Sequence, residues 1–200
     1  PHIQLDAQGR ARSSLCDLFR WRYKNLTDLD FIKTDAEFNR PNHGFVYDYQ
    51  IINVDDHKGI GESTPLPHYY QNRGEAEYVL AVYRYMISIG YQNDKITILT
   101  TYNGQKQLLR ELIEQENTKD ANFKRPSKVT TVDKFQGQQN DYILLSLVRT
   151  KTVGHLRDIF ARVNLFAASV ELQPAMKLLL QRPTKLALEN GLSSYFPYLS

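Results

Sequence analysis

The chain has 200 residues, enough for one substantial domain, and its 42% apolar and 12% aromatic content place it outside the disordered class. Twenty-five basic against 22 acidic residues leave a charge of +3, too small to mark a nucleic-acid binder by itself. One cysteine excludes an intrachain disulfide framework, scattered histidines without a cysteine cluster argue against zinc, and no run approaches the roughly 20 apolar residues of a membrane-spanning helix.

The opening Pro1-His2-Ile3-Gln4-Leu5 has neither an initiator methionine nor a signal-peptide pattern, and reads as the middle of a longer protein. Leu15, Cys16, Leu18 and Phe19 among arginines predict a short helix within 11–24. A polar, turn-rich region follows over about 25–45, then a strand within Phe45–Val54. Asp55–Arg73, with two glycines and two prolines, reads as a long surface excursion.

Ala76, Val79, Leu80, Val82, Tyr83 and Met86 give one broad apolar face, predicting a helix over Glu75–Ile89 that stops at Gly90. Ile96–Thr100 is a strand and Thr101–Gly104 a loop, with Leu108, Leu109, Leu112 and Ile113 marking the next amphipathic helix. Val129–Thr131 and Tyr142–Val148 are further strands, and Ile159–Phe166 a last one. Leu178-Leu179-Leu180 reads as a run that can dock a helix. Alternating strands and helices predict an α/β fold with a mostly parallel sheet and crossover helices. Residues 1–45 are expected to enter the domain, 46–168 to form its core, and 169–200 to add a helical or irregular extension.

Two polar clusters follow strands, where open α/β sheets meet ligands. Thr101, Tyr102, Asn103 and Gln105 can bind phosphate, sugar or base edges, and Thr101 or Asn103 can equally cap a helix. Thr131, Asp133, Gln136 and Gly137 are the sharper set. Thr131 can donate to a backbone phosphate and Gly137 permits a close loop approach, whereas the plain alternative is a capped helix or turn before a strand. Lys124, Arg125, Lys128, Lys134, Arg149, Lys151 and Arg157 offer phosphate contacts or a solvated charged face. Tyr102 and Phe135 can stack on a base or pack in the core. No Gly-x-x-x-x-Gly-Lys-Ser/Thr loop occurs, and no acidic strand end offers a Mg²⁺ ligand, so ATP hydrolysis by the isolated chain is not expected.

Taken in order, the segments Leu5-Asp6-Ala7-Gln8-Gly9-Arg10-Ala11-Arg12, Gly74-Glu75-Ala76-Glu77-Tyr78, Thr100-Thr101-Tyr102-Asn103-Gly104-Gln105-Lys106 and Val129–Arg149 resemble the second RecA-like domain of superfamily 1 helicases. This is the group that includes the nonsense-decay enzymes, and within it the chain is most similar to the spliceosomal intron-binding branch. The resemblance runs to about residue 182. It implies a RecA-like three-layer domain in a nuclear, ATP-dependent RNA helicase of pre-mRNA splicing. Its partners would be single-stranded or intron RNA, the first RecA-like domain and spliceosomal proteins, with no membrane.

The resemblance also implies roles. Gln8 and Arg10 would face nucleotide phosphate across an interdomain cleft, and Asn72 and Glu75 would organise the domain. Thr101, Tyr102, Gln105 and Thr131 would contact RNA. Asp133, Gln136, Gly137 and Gln139 would couple that surface to the cleft, where ATP and Mg²⁺ bind in an intact parent enzyme; independent tight nucleotide binding by this chain is not expected. The pattern departs in two places. Many relatives read Gly-Arg-Glu where this chain has Gly137-Gln138-Gln139, replacing an acid that can hold ribose with a neutral amide. After Asp158 the family continues with an arginine-rich helix and an Ala-x-Ser/Thr-Arg-Ala-Arg motif, whereas here Ile159-Phe160-Ala161 follows directly. The expectation is a partial domain without catalytic residues of its own, the alternatives being an RNA-binding or protein-docking remnant or an unstable partial product.

Overall fold

Most of the runs predicted as strands lie side by side in one parallel sheet. The computed structural model describes residues 6–21, 23–52, 54 and 61–150, and the backbone of 177–180. The chain enters through β1 (Ala7–Gln8), α1 (Ser13–Arg20) and β2 (Thr27–Asp28), with β1 and β2 pairing in parallel. α1 is the first predicted helix, and it buries Leu15, Cys16 and Phe19. The turn-rich stretch holds more structure than expected: β2, then α2 (Asp30–Thr34) and α3 (Ala36–Asn39), each helix anchored by one buried residue, Ile32 and Phe38. Asp35 caps α3 by accepting from the Glu37 N–H.

β3 (Tyr49–Ile52) is followed by a correction to the expected excursion. Residues 62–72 form an antiparallel hairpin, β4 (Glu62–Leu66) and β5 (Tyr69–Asn72). Pro65 lies where the pairing register shifts, a position that tolerates the missing N–H, and Pro67 with His68 at φ 61° makes the turn. α4 (Arg73–Ser88) ends as predicted: Gly90, at φ 101°, donates to the Ile87 carbonyl.

A short 3₁₀ turn at Asn93–Lys95 leads into β6 (Ile96–Thr100), buried throughout. α5 (Asn103–Lys119) begins two residues earlier than expected, so the loop after β6 is only Thr101-Tyr102. Then come β7 (Lys128–Thr131), the single-turn α6 (Val132–Phe135) and β8 (Tyr142–Ser146). The Leu178–Leu180 run, expected to dock a helix, belongs to a strand, β9 (Lys177–Leu180). A strand buried in a parallel sheet is apolar on both faces, and period alone does not separate it from a buried helix. The strand expected at Ile159–Phe166, the break at 158–159, Lys151 and Arg157 lie outside the described residues.

The five-stranded sheet has the order β3-β9-β8-β6-β7, parallel at every pairing. Side-chain alternation divides its core. Ile96, Ile98 and Leu144 pack against the apolar faces of α4 and α5. On the other face Leu99, Ile143, Leu145 and Leu147 cluster with Val132 and Phe135 of α6. Helices on both faces of a parallel sheet give the three layers of a RecA-like fold.

Candidate nucleic-acid interface

Register brings three hydroxyl residues together at the carboxyl edge of the sheet. Thr100 pairs with Thr131 on one side and Ser146 on the other. Strand polarity thus gathers residues far apart in sequence where parallel sheets receive ligands. Behind this edge lies a buried polar network. Asn72 caps α4, its Oδ1 accepting from the Glu75 N–H at 3.0 Å. Gln105 Oε1 accepts from the Asn72 N–H, and its Nε2 donates to the Asn72 carbonyl and to Ser146 Oγ. Ser146 Oγ donates to Glu75 Oε2 at 2.5 Å, and the Val148 N–H donates to the same oxygen at 2.9 Å.

Val148 has φ 71°, a region that a β-branched residue rarely enters. Glu75 holds its N–H and Asn72 Nδ2 donates to its carbonyl, so the network clamps the strained residue from both sides. Burial pushes the Glu75 carboxyl upward. Donation from Ser146 and from the Val148 and Leu147 N–H groups opposes this, while nearby Glu62 adds to it. Glu75 is therefore more than the helix-end charge that its position in the first turn would suggest.

The turn at Val148 leads to Arg149, which joins the β4–β5 hairpin to this edge. Its Nε lies 2.8 Å from Glu62 Oε1, and its guanidinium sits 4.2 Å from the Tyr70 ring centroid and 6.0 Å from that of Tyr102. Tyr70 and Tyr102 pack edge to face at 5.2 Å. Gly104 permits the close seating of α5, because a Cβ there would lie 2.5 Å from the Tyr70 carbonyl oxygen.

The residues expected to contact RNA thus share one edge but not one environment. Gln105 is fully buried and spent on the network, and the Tyr102 ring is buried against Tyr70. Thr101 is half-buried and donates to the Leu147 carbonyl at 3.3 Å. Thr131 is 5% exposed and makes no side-chain capping bond to α6. Among the described residues its hydroxyl has no hydrogen-bond partner.

The second expected set lies along the connection from this edge to the opposite one. α6 begins directly after Thr131, and the following loop delivers the chain to the amino end of β8. Asp133, Gln136, Gly137 and Gln139 are all exposed along it. Gly137 is needed for its φ of 78°, and an added Cβ would meet nothing within 4 Å. Within the chain it makes the turn, and the space beside it is open. Gln138 pins the loop by donating to the Lys134 carbonyl and accepting from Lys128, and Asn140 donates to Thr97 Oγ1 at 2.8 Å.

At the amino end of β8 a cavity of about 700 Å³ opens, lined by Arg40, His43, Tyr91, Lys95, Asp141 and Tyr142. Arg12 Nη2 donates to the carbonyl of Arg40, a cavity-lining residue, at 2.6 Å, which places the turn after β1 on this side. Gln8 shapes that turn: its Oε1 accepts from the Arg10 and Ala11 N–H groups, and its Nε2 donates to the Ala11 carbonyl and to Asp28. The Arg10 side chain stands exposed and makes no hydrogen bond or ion pair with another described residue.

Sequence reasoning leaves out Glu62, Tyr70 and Ser146 and marks Arg149 only by its charge. The one local signal was Ser146, a hydroxyl ending an otherwise apolar strand. The partners of Arg149 lie far away in sequence, and no spacing rule reaches them.

Residues 2–166 match a family model described as an AAA domain. The RNA helicase aquarius of Mus musculus is 55% identical over 202 aligned positions, covering 93% of this chain and 14% of that protein. The pre-mRNA-splicing factor cwf11 of Schizosaccharomyces pombe is 33% identical, with 74% of this chain and 12% of that protein covered. An uncharacterized ATP-dependent helicase of Methanocaldococcus jannaschii is 32% identical over 68% of this chain and 19% of its own length. The chain therefore spans between 12% and 19% of the length of these three relatives.

Proposed function

The chain belongs to the AAA-domain family and is homologous to RNA helicases, and on that premise we propose that it is a second RecA-like domain of a superfamily 1 helicase of the aquarius type. It supplies an RNA-contact edge and one side of an ATP cleft. The observation that carries this reading is the α6 connection: one short segment joins Thr131 at the carboxyl edge to Gln139 at the amino end of β8. A displacement at either end is transmitted through a turn anchored by Phe135, which is 2% exposed.

Thr131 and Thr101 contact the RNA backbone, with Gln105 and Tyr102 holding that edge in shape. Gln8 orders the turn that presents Arg10, and Asp133, Gln136, Gly137 and Gln139 line the path between the two sites. ATP with Mg²⁺, held between this domain and a first RecA-like domain, supplies the free energy for remodelling RNA in an intact parent. The chain alone is not an ATPase: its sequence has no phosphate loop, and the family's arginine motif is interrupted at 158–159. Its setting is the nucleus, with intron RNA and spliceosomal proteins as partners.

A second reading, a non-catalytic RNA-binding or docking remnant, is favoured by Gln139, a neutral residue where many relatives carry an acid. Anisotropy titration of the purified chain with single-stranded RNA tests the RNA-contact edge. Salt-sensitive binding that weakens on Thr131→Val supports it, and no binding at low salt sinks it. RNA-stimulated ATP turnover on adding a first RecA-like domain separates the helicase reading from the remnant.

A further inference from the structure

β7 ends the order of described strands, so its outer edge lies beside α5 and not beside another described strand. Arg110 of α5 reaches across and donates from Nη2 to the Val129 carbonyl at 3.0 Å. Next to this contact a groove of about 330 Å³ is lined by Arg110, Glu114, Arg125, Ser127, Lys128 and Val129. Lys106 stands one turn before Arg110 on the same face of α5, and Lys134 follows Thr131 on α6. The Lys106 ammonium is held below its ordinary value by burial, then by the charges of Lys134 and Arg110, which places both cations near it.

None of Lys106, Arg110, Lys128 and Lys134 pairs with a carboxylate among the described residues. Lys106 Nζ donates to Asn103 Oδ1, Lys128 Nζ to Gln138 Oε1, and Arg110 to a carbonyl. Their neighbours differ. Arg84 and Lys119 share Glu116, and Arg125 pairs with Glu114 at 2.7 Å, which neutralises the far wall of the groove. A cluster of cations without carboxylates among the described residues, beside the Thr131 hydroxyl, favours an anion lying along it.

We propose that Lys106, Arg110, Lys128 and Lys134 form a phosphate track along the outer edge of β7, over which a single-stranded RNA seated at Thr131 continues. The inference rests on the RNA-contact reading above. An extended row of separated cations suits a backbone with one charge per nucleotide. It requires no base-specific pocket, so the track adds affinity without sequence preference.

The test uses the full chain with short and long oligouridylates, titrated by anisotropy across a salt series. Each single-strand phosphate contact contributes about 0.7 to the salt slope, so Lys106→Gln/Lys128→Gln/Lys134→Gln should lower the slope for long RNA by about 2. Lysine-reactivity footprinting on the unmodified chain covers a variant that folds poorly. RNA should shield Lys106, Lys128 and Lys134 while leaving Lys33 reactive. An unchanged slope with unshielded lysines, while Thr131→Val still weakens RNA binding, overturns the track and leaves the RNA edge standing. No RNA binding by the unmodified chain overturns both. Shielding by polyglutamate and not by RNA overturns the track in favour of an acidic peptide.

Discussion

A buried carboxylate, Glu75, and a half-buried one, Asp28, organise the two candidate faces, and their pKa values move in opposite net directions. Glu75 lies behind the carboxyl edge and accepts only from neutral donors, Ser146 and backbone N–H groups, with another carboxylate, Glu62, nearby. Burial dominates, and its pKa is raised. Asp28 lies under the turn that carries Gln8 and Arg10. Burial is again the largest influence, but Ser13, Gln8 and the Arg20 guanidinium at 2.9 Å together outweigh it, and its pKa is lowered. Ser13 and Gln8, with the Arg20 cation added to them, reverse the outcome, so the two hubs respond differently to the same perturbation.

The largest expected effect is at Glu75. Glu75→Ala leaves the Ser146 hydroxyl and the Val148 N–H without their acceptor in a buried setting and unclamps a strained residue. A loss of about 3 kcal/mol is expected in urea unfolding. A loss below about 1 kcal/mol would mean that water replaces the carboxylate and the site is more open than its burial indicates. Asp28→Asn should cost less, about 1–2 kcal/mol, because Arg20 keeps Asp17 as a partner and one amide oxygen still accepts.

Unfolding free energies followed over pH sharpen the contrast. The raised Glu75 pKa means that the folded chain binds the extra proton. Its contribution is fully present below the ordinary value of 4.5 and is lost as pH rises through the folded value. Asp28 has the opposite sign: its contribution is present above the ordinary 3.8 and is lost as pH falls through the folded value. The penalty of Glu75→Gln should therefore shrink with rising pH, and that of Asp28→Asn with falling pH. Parallel trends would show that one hub has been assigned the wrong dominant influence.

The same contrast explains what the sequence could show. α4, α5, β6 and β8 were legible because their apolar periods are long and their ends carry local signals such as Gly90. The β4–β5 hairpin was not, since Pro65 and Pro67 read as loop, and only the register shift and turn make room for them. β9 was ambiguous because three leucines in a row suit either element. At the site, Thr131 and Gly137 were marked by position and residue type. The Glu75 hub was hidden because Ser146 and Val148 lie 71 and 73 positions away, and no local pattern records such a contact.

The exposed loop after α6 should answer differently from both hubs. Gly137→Ala meets no steric obstacle and pays only for φ 78°, an expected loss of about 1 kcal/mol. The smallest effect is expected at Gln139, exposed and without a hydrogen bond to a described residue. Gln139→Glu should change stability by less than about 0.5 kcal/mol, because an exposed carboxylate keeps its hydration. With stability held, any gain in nucleotide affinity once a first RecA-like domain is added reports the contact made by that carboxylate and not a change in fold. A larger stability change would place Gln139 against structure instead of at an open cleft. No change in affinity would separate this loop from the nucleotide and leave only its Thr131 end in the proposed function.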